Sequence, residues 1–306
     1  MRVGINGSDK LLAPDLGAFR ADITQAETEG FASYWIAQTT LLDAISGLAI
    51  AASGSSTITV GTAVVPTWTR HPQATAAAAL TAQAATGGRF VLGIGLLHKP
   101  VVEGNLHMVW QRPIRHMLDY LDVLQPLLTD GTSDHTGEVW SYTGKSARPT
   151  TEPPKVMLAA LGEQMLKIAG QRTDGTILWC VGPKTIQRQI APIINGAAGD
   201  SGRPNPAIVC SLPVWVTDNP EPARQFLAQV FAGYAQLPSY RAMLDIEGVQ
   251  GMDGVALVGS EQEVADGLAA VAESGATDFA AVVMGGNPEE VARTRQVLQS
   301  FHTTGV

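Results

Sequence analysis

Six consecutive positions, Pro66-Thr67-Trp68-Thr69-Arg70-His71, gather an indole, a cation and an imidazole directly after the β-branched, apolar run Thr57–Val65. Three other stretches place polar groups the same way, just past an apolar run: Asn6-Gly7-Ser8-Asp9, Gln38-Thr39-Thr40 and Gly95-Leu96-Leu97-His98. Together they supply amides, hydroxyls, an indole and two imidazoles, with few carboxylates. Such groups orient and polarise a ligand, or move one proton at an imidazole that titrates near neutrality. They suit hydrolysis poorly. The six histidines lie far apart and none forms HExxH, and the sequence has neither a GxSxG elbow nor a Walker A loop. Metal-hydrolase and serine-hydrolase chemistry is therefore disfavoured. Gly93-Ile94-Gly95 begins a dinucleotide fingerprint that the following residues do not complete.

Two turns have the form of anion sites. Ala160-Leu161-Gly162-Glu163 passes from an apolar run into a helical one through glycine, leaving free backbone N–H groups at a helix N-terminus. Gly182-Pro183-Lys184 repeats the arrangement one unit later and adds a full positive charge. By spacing alone, each is either a phosphate cradle or a plain tight turn.

These stretches need elements to position them, and apolar periodicity supplies eight strand–helix units. Strands are expected at Arg2–Asn6, Ser33–Ala37, Thr57–Val65, Phe90–Ile94, Lys155–Ala160, Thr176–Trp179, Ile208–Val216 and Asp278–Val283. Helices are expected at Leu16–Glu29, Asp43–Ser53, His71–Thr86, Pro113–Leu128, Glu163–Arg172, Lys184–Gly199, Pro222–Ala235 and Pro288–Ser300. Strands apolar on both faces indicate a parallel sheet, and eight such units close a (β/α)8 TIM barrel of the α/β class; a doubly wound open sheet is the rival. In a barrel all the chemical stretches above fall at the C-terminal strand ends, where active sites are built. Insertions are expected after strand 4, as the loop Leu96–Gln111, and after strand 7, including a helix Ser260–Ser274 opened by a Ser260/Glu263 capping box. Thr132–Pro154 is polar and turn-rich, with a small hairpin through Gly137–Gly144. No linker or repeat divides residues 1–306, which are read as one domain.

At 306 residues and 45% hydrophobic, the chain can bury a large core, and a net charge of −8 argues against a nucleic-acid partner. No run is long and apolar enough for a membrane span, and the opening MRVGINGSDK reads as a first strand rather than a signal peptide. Cys180 and Cys210, each in an apolar segment, read as buried and reduced, as in a cytoplasmic protein.

The stretches AETEGFASYWIAQ, ITVGTAVVPTWTRHPQATAAAALTAQAATGGRFVLGIG, the pair Arg112-Pro113, PPKVMLAALGEQMLKIAGQRTDGTIL and ALVGSEQEVADGLAAVAESGATDF resemble the luciferase-like monooxygenase superfamily. The resemblance is closest to its coenzyme F420-dependent oxidoreductases, such as methylenetetrahydromethanopterin reductase. It implies a bulge in strand 3 at Thr62, Ala63 and Val64, with a non-prolyl cis peptide at Ala63–Val64 backing the deazaflavin ring and Trp68 walling it. It implies further cofactor contacts from Gly95, Leu96, Leu97 and His98, a phosphate cradle at Ala160, Leu161, Gly162 and Glu163, and a tail contact at Gly182, Pro183 and Lys184. Arg70 and His71 either serve the site or do structural work. In this reading hydride passes between F420 and a small organic substrate with a C=C, C=N or C=O bond, oriented by Asn6, Gln38, Thr39 and Trp68. The family's F420-dependent sugar-phosphate dehydrogenases carry an Asp-His pair after strand 2 and a tryptophan beyond. Here Gln38-Thr39-Thr40 and Asp43 stand instead, which argues against sugar-phosphate oxidation. His98 stands near that branch's strand-4 carboxylate, as general acid or as a cofactor contact. The mouth residues Leu96, Leu97 and Trp68 point to a lipophilic or aromatic substrate. The alternatives are an FMN-dependent monooxygenase of the same superfamily and a catalytically silent F420-binding barrel. The alanine-rich helices and the family's habit point to a homodimer.

Overall fold

A computed structural model describes residues 1–12 and 15–304. Eight parallel strands form its centre: β1 Arg2–Asn6, β2 Ser33–Ile36, β3 Thr59–Thr62, β4 Phe90–Gly95, β5 Lys155–Leu158, β6 Gly175–Trp179, β7 Ala207–Val216 and β8 Asp278–Val283. They pair in sequence order, and β8 returns to β1 through the register Arg2–Asp278 to Ile5–Ala281. The ring is closed, which rules out the open doubly wound sheet. Beyond Ser211, where β6 stops pairing, residues Val214–Val216 of β7 pair with a ninth short strand, Leu257–Gly259.

Helices pack outside the ring: α1 Leu16–Thr28, α2 Ala44–Ala51, α3 Pro72–Ala85, α4 Pro113–Asp130, α5 Glu163–Arg172, then a continuous α6, and finally α7 Pro220–Val230 and α8 Pro288–Thr304. α6 runs as Pro183–Thr185, a π turn Ile186–Ile190 and Ala191–Asp200. Side chains start several of them. Asp15 accepts from the Ala18 N–H, Asp43 from the Ser46 N–H, and His71 Nδ1 from the Gln73 N–H at 3.2 Å. Arg70 pairs with Asp43. Arg70 and His71 thus do structural work, tying the β3 loop to α2 and opening α3.

The expected insertions are present. A short helix, Lys99–Gly104, lies in the loop after β4, and the segment after α7 carries helix Pro238–Glu247. Helix Glu261–Glu273 starts in the anticipated capping box. The hairpin pairs Thr132–Thr136 with Ser141–Lys145, so it begins ahead of Gly137. Asp119 of α4 holds it there, accepting from Arg115, from the Val139 N–H at 2.8 Å and from His135 at 3.3 Å. Both cysteines are buried and free, and burial raises both thiol pKa values. No helix among the described residues is long and apolar enough to cross a membrane.

Candidate active site

The barrel lumen has a packed floor. Trp35, Val91, Met157, Ile177, Val209 and Ala280, one from each of six strands, form a cluster inside the ring. Strand alternation puts the next inward positions at Asn6, Gly93, Ala159, Trp179, Ser211 and Val282. Ala159 and Ser211 are small, whereas the Gly93 position lies under the β3 bulge, since a Cβ there would come 1.9 Å from the Thr62 carbonyl oxygen and 2.7 Å from Ile177 Cδ1.

The Thr57–Val65 run does not form one strand. Val60 and Gly61 pair with Phe90 and Val91, an offset of 30 (90 − 60), whereas Val65 and Pro66 pair with Ile94 and Gly95, an offset of 29 (94 − 65). One extra residue has entered β3, which is a bulge. The Ala63–Val64 peptide within it is cis. Thr62 splices the ladder across the gap: its buried hydroxyl donates to the Gly93 carbonyl at 2.7 Å and accepts from the Gly93 N–H at 2.9 Å. On the β2 side, the Ala63 N–H reaches the Ile36 carbonyl and the Gln38 N–H reaches the Val64 carbonyl at 3.1 Å. Ala63 and Val64 are thereby pushed inward and pack against the floor cluster. Gly95 lies beneath them, since a Cβ there would come 2.8 Å from Val64 Cγ2 and 3.0 Å from Ala159 Cβ.

The structure therefore brings Ala63, Val64, Gly95, Leu96, Leu97, His98 and Leu161 to one arc of the mouth, over β3, β4 and β5. Other expected site residues have their groups committed elsewhere. Thr62 is fully buried in its splice and offers no side chain to a ligand. Gln38 spends its amide on its own loop: Nε2 donates to the carbonyls of Thr40 (2.6 Å) and Leu42 (3.0 Å), and Oε1 accepts from the Ala44 N–H (2.8 Å). These bonds shape the β2 loop and leave Oε1 one lone pair. Asn6 donates to Ser211 Oγ at 2.9 Å and accepts from Ser8, leaving one amide N–H for the lumen. Trp68 is not an open wall. It is 7% exposed, with its ring 4.2 Å from that of His116 and 5.6 Å from that of Trp110. Ala160 is buried behind the cradle it introduces.

His98 is half-buried at the start of helix Lys99–Gly104. Its ring meets Tyr234 edge-on at 6.1 Å and Tyr240 at 5.8 Å, and burial lowers its pKa below 6.5. Trp179, at the end of β6, meets Tyr234 and Phe231. These aromatic partners come from the segment after α7, whose residues carry no local signal of their destination.

The two anion turns have different fates. At Gly162, the first helical N–H groups, those of Glu163, Gln164 and Met165, have no acceptor among the described residues, and the space where a Cβ on residue 162 would sit is empty. With a ten-residue helix behind it, this terminus fits a phosphate. Glu163 leans away and pairs with Lys167 at 2.7 Å. At Gly182 the place is taken. The Glu247 carboxylate accepts from the Thr185 N–H at 2.8 Å and the Lys184 N–H at 3.3 Å, and a Cβ on residue 182 would run into it. The Lys184 and Thr185 N–H groups of this turn are thus engaged by Glu247, whereas the exposed Lys184 side chain has no ion-pair partner among the described residues. A third candidate, Asp119, Asp122 and His135, has cation-site spacing. Arg115 and Arg172 already neutralise its carboxylates.

The closed eight-stranded α/β barrel agrees with the comparisons to known proteins. The family model for luciferase-like monooxygenases matches residues 3–278. The chain belongs to the luciferase-like monooxygenase family. Within it, the chain is 27% identical over 179 residues to the 5,10-methylenetetrahydromethanopterin reductase of Archaeoglobus fulgidus, covering 57% of this chain and 53% of that one. The coenzyme F420-dependent tetrahydromethanopterin reductase of Methanopyrus kandleri superposes with a TM-score of 0.76 at 18% identity, covering 97% of each chain. A type II Baeyer–Villiger monooxygenase from Pseudomonas putida, solved with FMN, superposes with a TM-score of 0.77 at 15% identity, covering 100% of this chain and 99% of that one. At those identities the likeness to the two structures is one of fold. The luciferase-like barrel therefore accounts for the architecture, and the choice of cofactor rests on this chain's own loops.

Proposed function

We propose that this luciferase-like barrel is an F420-dependent oxidoreductase that moves a hydride between the deazaflavin and an uncharged, lipophilic acceptor with a C=C, C=N or C=O bond. The observation that carries the proposal is the open helix N-terminus at Gly162, beside an apolar mouth whose back is the Ala63–Val64 bulge. Free N–H groups of α5 would hold the phosphate. Ala63 and Val64 would back the ring, and Leu96 and Leu97 would shield it from water. Lys184 and Arg188, both exposed and without ion-pair partners among the described residues, would meet an acidic tail at the rim. When bound, F420 supplies or accepts the hydride; the protein supplies geometry and a dry site. The remaining Asn6 N–H can orient an acceptor oxygen. Burial lowers the His98 pKa from its ordinary value and so favours the neutral imidazole. Its imidazole can still hold or pass a proton at the mouth.

The second reading is an FMN-dependent monooxygenase, favoured by Glu247. With the Gly182 turn filled, the loops offer backbone N–H groups at one phosphate cradle and no second backbone site for the carboxylates of a longer acidic tail, which FMN lacks. Titrating the apo-protein separately with F420 and FMN, following tryptophan quenching, separates the two readings. F420 binding with negligible FMN binding, followed by oxidation of reduced F420 with an enone, imine or ketone, supports hydride transfer. FMN binding without F420 binding overturns it in favour of oxygen chemistry. F420 binding with no turnover over that panel leaves a binding barrel. As in many such barrels, a homodimer is proposed, and sedimentation reads it directly.

A further inference from the structure

The anion seated at the Gly182 turn belongs to the chain itself. Glu247 is the last residue of helix Pro238–Glu247 and is 7% exposed. Besides the two backbone N–H groups, the Thr185 hydroxyl lies 2.8 Å from Glu247 Oε2 and 3.0 Å from the Met243 carbonyl, so its single proton is shared between them. A carboxylate in the last turn of a helix faces the negative end of its own helix dipole. The placement is unfavourable locally and is offset by the positive N-terminus of α6. The segment that Glu247 anchors carries Tyr234 and Tyr240. Their rings contact each other at 5.0 Å and His98 from two directions. Gln189 of α6 lies between this region and the cradle, with Nε2 3.7 Å from Met243 Sδ and 3.2 Å from the Leu161 carbonyl oxygen.

We propose that Glu247 is a positioning residue whose carboxylate occupies the Gly182 anion place, closes that turn to phosphate, and holds Tyr234 and Tyr240 against His98. The phosphate half rests on reading Gly162 as the cofactor's cradle, whereas the packing half stands without any cofactor. Around Glu247 the charged or titratable neighbours are Lys184 on α6, the Arg241–Asp245 pair on its own helix and the buried Cys210 thiol of β7. Around His98 they are the two tyrosines, with Lys99 and Glu103 paired to each other on the next turn. Freed from the tyrosines, the imidazole regains water and titrates nearer its ordinary value.

The test uses the apo-protein, so it is independent of whether F420 or FMN binds. Histidine ring resonances are titrated in wild type, Glu247→Ala and Glu247→Gln, with His98 assigned through His98→Gln. Loss of the carboxylate raises the His98 pKa towards 6.5 and speeds amide exchange over residues 234–247 by about tenfold or more. Inorganic phosphate then shifts the Lys184 and Thr185 amides in Glu247→Ala and leaves them unmoved in wild type. Glu247→Gln keeps one acceptor and gives the same changes at smaller size, so it serves if Glu247→Ala does not fold. An unchanged His98 titration in the folded variants overturns the positioning role. Phosphate-induced shifts at Lys184 and Thr185 in wild type overturn the closure of the turn.

Discussion

Replacing Glu163 by proline isolates one backbone N–H of the Gly162 cradle. Glu163 is the first residue of α5, where proline is tolerated because the N–H has no intrahelical partner. Its predecessor, Gly162, sits at φ −79° and ψ 149°, the extended conformation that proline demands of the residue before it. The variant therefore keeps the fold, and its thermal midpoint stays at or above that of wild type. The substitution also removes a carboxylate that pairs with Lys167, so the proper reference is Glu163→Ala, which loses the same charge and keeps the N–H. A hydrogen bond from an N–H to a charged phosphate contributes roughly 1.5–3 kcal/mol. At about 1.4 kcal/mol per tenfold, Glu163→Pro should bind cofactor roughly ten- to a hundredfold more weakly than Glu163→Ala. Glu163→Ala itself should bind as tightly as wild type or tighter, having lost a negative charge beside the phosphate. Quenching titrations of the three proteins read this directly. Equal dissociation constants for the alanine and proline variants, with both folded, would refute the phosphate reading of α5.

Two further perturbations probe the frame around the site. Thr62→Val keeps the shape of the side chain and removes both splice bonds, leaving the buried N–H and carbonyl of Gly93 without partners. Urea unfolding should show a loss of about 2–4 kcal/mol, and a loss below about 1 kcal/mol would mean the hydroxyl does not carry the bulge. For Asp119, burial alone would raise the pKa, but the bonds from Arg115, the Val139 N–H, His135 and the Trp140 N–H outweigh it and lower the value below 3.8. A folded value below the unfolded one stabilises the protein above roughly pH 4, and that stabilisation is lost as the pH falls below it. Asp119→Asn should flatten this limb of the stability profile as the pH falls below roughly 4; an unchanged limb would assign it to other carboxylates.

The parts of this molecule legible in the sequence are those set by local pattern. Strands buried on both faces read as continuous apolar runs, and each of the eight is legible as one, because in a parallel barrel that burial leaves no polar side to confuse the period. The same continuity concealed the bulge from the residue pattern. Thr57–Val65 is β-branched and apolar throughout, and only the change of register against β4 shows where the extra residue enters. Resemblance to the family located it at Ala63–Val64, because there the signal is a particular string of residues. The two anion turns mark the limit of local reading. Gly162-Glu163 and Gly182-Pro183 have the same grammar, a strand ending in glycine before a helix; the missing N–H of Pro183 and the charge of Lys184 differ within the turns, but neither shows that one of the two places is filled. What separates them is Glu247, delivered from another helix on the far side of β7. Gln38 and Trp68 follow the same rule: polar and aromatic groups at a strand end are candidates for a ligand until the rest of the fold claims them. A loop residue's chemistry is set by its neighbours in space, and at this mouth the chain's own groups take many of the bonds a ligand could have used. Among the described residues the first N–H groups of α5, those of Glu163, Gln164 and Met165, are left without an acceptor, and on them the proposed phosphate contact rests.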